Sequence, residues 1–187
     1  MGIGNKTRGK IVGGGLVTSG NAGYPSGTGV SAIEGAAGVH KTVITIKDYA
    51  LTMTNNGSKL HGGFQYYTFA EGSIVILGAT TDLSIVVSGG LNTNADGDCA
   101  LGTIVADSGA ALSGDDKNIC PKTTVSCASF AATNTMRNAA AIAPLDGTGT
   151  AIPTFLNYTF DTGAYTSSGI VTISGTITML WSNLGDY

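Results

Sequence analysis

The chain has 187 residues, 42% of them hydrophobic and only 11% charged, with a net charge of −3. That is length and apolar content for one folded domain and too much hydrophobicity for a disordered chain. The scarcity of charge, less than half the roughly 25% usual in soluble domains, leaves Thr, Ser, Asn and the 29 glycines to make the polar surface. These residues suit strands and turns, since Thr fits a half-exposed strand while Gly and Asn accept positive φ.

Charge is unevenly distributed. Residues 1–60 hold Lys6, Arg8, Lys10, Lys41, Lys47 and Lys59 against Glu34 and Asp48, whereas the remainder is strongly acidic. A basic leading segment on an acidic body suggests a docking arm for an acidic partner, with a solvated, flexible N-terminus as the alternative reading. Nucleic acid is excluded as its partner, because three basic residues without an aromatic platform give little phosphate affinity.

Residues 1–38 are Gly-rich and almost without periodicity, which predicts an extended arm. Its apolar anchors are Ile11, Val12, Leu16 and Val17, and its cations are Lys6, Arg8 and Lys10. These seven residues are the candidate partner-binding set, because an arm without its own apolar face must order against another surface. Residues 39–187 then form the domain. Val43, Thr45 and Lys47 alternate with Ile44 and Ile46, and Leu51 and Met53 alternate with Thr52 and Thr54, the period of half-buried strands. Further strands are predicted over 62–69, 73–79, 83–88, 99–107, 124–131 and 154–162. Residues 107–122 read as a polar excursion with one helical turn. The Ala-rich stretch 131–150 is the one place for a helix, which Pro144 would end. Near the C-terminus Val171, Ile173, Ile177, Met179 and Trp181 share one face, and Gly175 on that face marks a bulge or a close approach. About eight short strands separated by Gly, Asn and Asp turns predict an all-β fold, an antiparallel β-sandwich or jelly roll.

The motifs that resemble chemistry fail on inspection. Gly4-Asn5-Lys6-Thr7-Arg8-Gly9-Lys10 fits the start of a phosphate-binding loop. However, Ile11 stands where Ser or Thr must hold Mg²⁺, and three glycines follow where a helix should begin. Asn92, Asn94, Asp96 and Gly97 match half of a calcium loop, but Thr103 replaces the bidentate Glu, so a hairpin turn is the expected reading. His40 and His61 have no neighbouring carboxylate and there is no GxSxG, so no catalytic, metal or cofactor residue is nominated and no enzyme activity is expected. Cys99, Cys120 and Cys127 form no even framework and are expected to be reduced, with a Cys120–Cys127 bridge left open. No secretory signal and no apolar run of membrane-spanning length are seen. The aromatics at 64, 66, 67, 69, 155, 158, 160 and 181 are expected to pack in the core rather than to present a sugar platform.

Lys6–Gly15 (KTRGKIVGGG), Thr42–Met53 (TVITIKDYALTM), Tyr67–Ala79 (YTFAEGSIVILGA), Gly97–Thr103 (GDCALGT) and Gly175–Tyr187 (GTITMLWSNLGDY) together resemble small virion proteins of marine tailed bacteriophages, capsid decoration or cement proteins among them. The resemblance runs over most of the chain and includes no catalytic motif. It implies a structural protein without cofactor on the capsid exterior, assembled in the host cytoplasm. It also implies the phage major capsid protein as partner, and homo-oligomers, a trimer favoured. A glycan- or receptor-binding β domain of a phage fibre or adhesin would share the composition and is the alternative.

Overall fold

The computed structural model describes residues 11–12, 15–16, 30–35, 39–57, 59–91, 96–107, 111–126, 144–161 and 165–185. It is almost entirely β, with two antiparallel sheets and no α-helix among these residues. In chain order the strands are β1 (Ile11–Val12), β2 (Gly15–Leu16), β3 (Val30–Gly35), β4 (His40–Thr52), β5 (Thr54–Asn55) and β6 (Lys59–Phe69). Then follow β7 (Gly72–Leu91), β8 (Asp96–Gly102), β9 (Cys120–Ser126), β10 (Leu145–Gly147), β11 (Ile152–Asp161) and β12 (Tyr165–Asn183). The seven-stranded sheet runs β1-β2-β3-β4-β12-β7-β10 and the five-stranded sheet runs β5-β6-β11-β8-β9.

The alternation read over 42–54 has its cause in this arrangement. Thr42, Ile44 and Ile46 face the core while Lys41, Thr45 and Lys47 are exposed. The parity breaks at Asp48, whose φ of 50° is left-handed. Ile173 pairs with Tyr49 but Gly175 with Ile46, so β4 holds one residue more than β12 here. Ser174 clamps this bulge: its Oγ accepts from the Asp48 N–H and donates to the Asp48 carboxylate, each at 3.0 Å. After the bulge Leu51 and Met53 return to the core. The chain then leaves one sheet for the other across Met53, whose N–H donates to the Gly169 carbonyl at 2.9 Å.

Several segments differ from expectation. The strands predicted over 73–79 and 83–88 are one strand, β7, of 20 residues, because Ala79, Thr81 and Leu83 continue a single inward face through the polar link between them. The strand predicted over 99–107 ends at Gly102. From there the Thr103 and Ile104 N–H groups turn to the Asp115 carbonyl, and the chain folds over the outer face of its own sheet. The helical turn expected in the polar excursion is a 3-10 turn over Gly114–Asp116. Of the Ala-rich stretch, 131–143 lies outside the described residues, and Leu145–Gly147 forms β10 rather than helix. Within the range read as an arm, β1 pairs with β2, Leu16 pairs with Glu34, and all of β3 pairs with β4. The edge of β4 away from β12 offers a row of N–H and C=O groups, and β3 fills it.

One cluster of buried residues joins the sheets. It includes Ile44, Leu83, Val171, Ile173, Ile177, Met179 and Trp181 from the larger sheet, and Leu60, Tyr66, Phe69, Leu101, Leu156, Tyr158 and Phe160 from the smaller. The five terminal-strand residues expected on one face are all in it. Across the two sheets Tyr49 stacks on Phe64 at 3.9 Å between ring centroids, and Phe69 meets Trp181 edge-on at 4.9 Å. The Trp181 indole N–H is satisfied by the Thr42 hydroxyl at 2.8 Å, so both polar groups can be fully buried.

The core also carries thiols and phenols. Cys99 and Cys120 both carry buried thiols. Burial pushes the Cys99 thiol from an ordinary 9.0 up to about 12 and raises the Tyr66 and Tyr158 phenols. The folded chain therefore holds protons that the unfolded chain releases, so this contribution to stability is whole below about pH 9 and is lost as pH rises towards about 12. A series of thermal melts across this range should show a falling midpoint. Iodoacetamide should leave Cys99 and Cys120 unmodified until denaturant is added, because both sulfurs are buried and burial also suppresses the Cys99 thiolate.

Candidate functional site

Two outer sheet faces are candidates for function, and they differ in kind. The outer face of the five-stranded sheet is largely closed by the chain itself. Its centre is Asn157, fully buried on β11. The Ala106 N–H donates to Asn157 Oδ1 at 2.9 Å, and Asn157 Nδ2 donates to the carbonyls of Ile104 and Asp116, each at 2.9 Å. Asn118 adds a second clamp: it accepts from the Thr103 N–H at 3.0 Å and donates to the Thr103 hydroxyl at 2.8 Å. Under the clamped loop lie Ala100, Ala106 and Leu112 as a small apolar cluster. Gly102 and Gly63 allow this closeness, since a Cβ on Gly102 would sit 2.1 Å from the Asp115 carbonyl and one on Gly63 2.2 Å from Asn157 Oδ1.

The half-match to a calcium loop is dismantled by pairing. Asp96, Gly97 and Asp98 lie in β8, opposite Ser126, Val125 and Thr124 of β9, and not in a turn. Asp98 accepts from Lys122 Nζ at 2.7 Å, so its carboxylate is occupied by a cation of the chain. Asn92 and Asn94 lie outside the described residues. Among the described residues no group of three or more His, Cys, Asp or Glu side chains converges as a metal site. His40 stacks on Trp181 at 4.2 Å, and His61 is buried on β6 between Thr54 and Thr159 of the flanking strands.

The other face, outside β4, β12 and β7, is open and mixes short hydroxyls with apolar residues and four charged groups, Lys41, Lys47, Asp48 and Asp82. Thr172, Ser174, Thr176 and Thr178 run along β12, with Thr45 on β4 and Thr80, Asp82 and Ser84 on β7. Exposed apolar residues stand among them: Val86 at 68%, Leu180 at 42% and Ile170 at 40% of full exposure. Such a face offers methyl groups and short hydroxyls to a partner.

Of the seven residues nominated as partner-binding, Lys6, Arg8, Lys10 and Val17 lie outside the described residues. Ile11 and Val12 form β1, where Ile11 is the cross-strand partner of Leu16, so the backbone brings these anchors together at the edge of the larger sheet. The expected core aromatics at 64, 66, 69, 158, 160 and 181 are buried, while Tyr67 and Phe155 are half-buried. Neither Asn157 nor the threonine face was singled out from sequence. A polar residue midway along an apolar strand, and Thr or Ser at every second position from 172 to 178, were the available signals. Comparison with known proteins found no matching family model, no matching curated protein and no matching solved structure.

Proposed function

We propose that this chain is a structural protein of a tailed-phage virion, a jelly-roll domain that decorates the capsid and cements neighbouring capsid subunits. The observation that carries the reading is the strand pairing. Among β4 and β6 to β12 taken in order, the first pairs with the eighth (β4 with β12) and the second with the seventh (β6 with β11). The third pairs with the sixth (β7 with β10) and the fourth with the fifth (β8 with β9). This is the pairing of one long hairpin rolled into two sheets, the jelly roll that viral capsid and lectin domains share. The contacts of Tyr49 with Phe64 and of Phe69 with Trp181 favour packing of the sheets face to face as a sandwich.

Fold alone does not assign function, and two further features support decoration over catalysis. The surface is poor in charge, and the N-terminal segments lengthen the larger sheet beyond β4. A cement protein gains from both. Spanning two capsid subunits makes the second contact intramolecular, so weak contacts multiply into strong retention. The proposed partners are the major capsid protein and, once on the shell, further copies of the chain as a trimer, with Lys6, Arg8 and Lys10 meeting acidic groups on the shell and Ile11, Val12, Leu16 and Val17 anchoring the arm.

The test is co-sedimentation of purified shells with the intact chain and with a variant lacking residues 2–17, at low and moderate salt. The intact chain should saturate the shells, and the truncated chain should stay folded yet be lost at moderate salt. Equal decoration by both at both salts would remove the arm from the mechanism. Absence of binding by the intact chain, together with a positive glycan array, would replace decoration with the fibre or adhesin reading.

A further inference from the structure

We infer that the open face of β4, β12 and β7 is a two-fold contact surface for a second copy of this chain. The argument rests on self-complementarity and does not need the capsid reading. In a two-fold contact the same patch serves both partners, so a residue on the axis meets itself and residues on either side exchange places. Strand register defines the rows: Ala50, Thr172 and Val86 form one, Thr45, Thr176 and Asp82 another, Lys41, Leu180 and Gly78 a third. An axis along the central strand, β12, places β4 of each copy over β7 of the other.

Every row then matches. Val86, the most exposed large apolar residue, lies over the small Ala50 of the second copy. Lys41 lies over Gly78, where a Cβ would find nothing within 4 Å; packing within the chain does not require this glycine, and its bare backbone leaves room for a lysine stem. Ile170 and Leu180, both about 40% exposed, meet their own counterparts on the axis. Thr172, Thr176 and Thr178 present short hydroxyls that can donate to and accept from their own kind, while the Ser174 hydroxyl is held by its own Asp48.

Charge follows the same symmetry. The charged groups of the face are Lys41, Lys47, Asp48 and Asp82. Asp48 is turned to its own Ser174. Asp82 of each copy lies over Thr45 of the other, one row (about 7 Å) from Lys47 and within reach of its ammonium. An acidic counter-surface would leave Asp82 opposed, and a basic one would leave both lysines opposed; a second copy leaves neither. Three strands about 4.8 Å apart and six rows about 7 Å apart give on the order of 600 Å² per copy, towards the lower end of specific interfaces. A reversible, concentration-dependent dimer is therefore the expected form.

Sedimentation equilibrium on the full chain, from about 1 µM to about 1 mM, brackets contacts of this size. The intact chain should pass reversibly from monomer to dimer. Thr176→Arg sets two guanidinium groups against each other on the axis and should weaken the dimer at least ~tenfold. Its melting midpoint at dilution should be unchanged, since Thr176 points outward. Lys47→Glu and Asp82→Lys should each weaken the dimer, and the two together should restore it. A chain that stays monomeric throughout, an assembly that ignores Thr176→Arg, or a double exchange no better than either single change would overturn the inference. Shell binding, scored separately by co-sedimentation, reports on decoration and leaves this result independent.

Discussion

Gly175→Ala is expected to destabilise the domain by about 3–5 kcal/mol, a large share of what a domain of this size possesses. Two causes add. Gly175 has a φ of 136°, a conformation that side chains rarely adopt and that costs of order 1–3 kcal/mol when a non-glycine residue is held there. An added Cβ would also lie 2.1 Å from the Asp82 carbonyl oxygen and 2.8 Å from the Leu83 Cα. Both obstacles are backbone, so no side chain can swing aside. Relief requires β12 and β7 to separate where their pairing holds the middle of the larger sheet, opposite the bulge at Asp48. Gly78→Ala is the control in the same strand pair: nothing lies within 4 Å of its Cβ and its φ is not left-handed. It should change stability by no more than about 0.5 kcal/mol. Urea titrations of the two variants at a dilution favouring monomer would measure the difference. Similar midpoints would mean that the strand pair is looser than described.

The second large effect is expected at Asn157. Asn157→Ala removes three hydrogen bonds at once and leaves the Ala106 N–H and the Ile104 and Asp116 carbonyls to find other partners. Buried groups left unsatisfied cost about 1–3 kcal/mol each before relaxation, so about 2–4 kcal/mol overall is expected once the loop has shifted to recover water. Asn157→Asp sharpens the test because the shape is retained. An ionised carboxylate still accepts from Ala106, but it places negative charge against two carbonyl oxygens and has no proton to donate. The introduced acid should therefore have a raised pKa in the folded state. The stability of the variant would be higher under acid conditions and would fall as pH rises through that value. Local opening should accompany either change. With the clamp gone, the segment that holds Thr103 and Asn118 should lift and draw Ala106 and Leu112 off Ala100, and trypsin should cut after Lys117 before the domain unfolds globally. If Lys117 stays protected and the pH dependence is absent, Asn157 does not hold the loop.

Much of the architecture is a consequence of one-dimensional pattern. Thr42 to Ile46 and Val171 to Trp181 alternate because each strand has one buried face, and that period is visible without any partner strand. Gly175 could be read in the same way, since a glycine on an otherwise large apolar face signals close backbone approach. Low charge and abundant Gly pointed to an all-β fold, and the described strands agree.

What the pattern does not carry is the partner. Period two says which way a side chain points but is silent on which strand lies beside it. The pairing of β4 with β12 joins residues more than a hundred positions apart, and only the closed structure selects it. The same limit hid Asn157, which looked like one polar residue on the outer side of a strand until a loop from positions 103–119 closed over it. It hid the end of β8 at Gly102, where the continuing apolar run Ile104-Val105-Ala106 favours a strand locally while the Asp115 carbonyl draws the chain away. The threonine face follows the same rule. The sequence by itself determined that these residues point out of a strand, whereas their assembly into one open surface depended on three distant strands meeting in register.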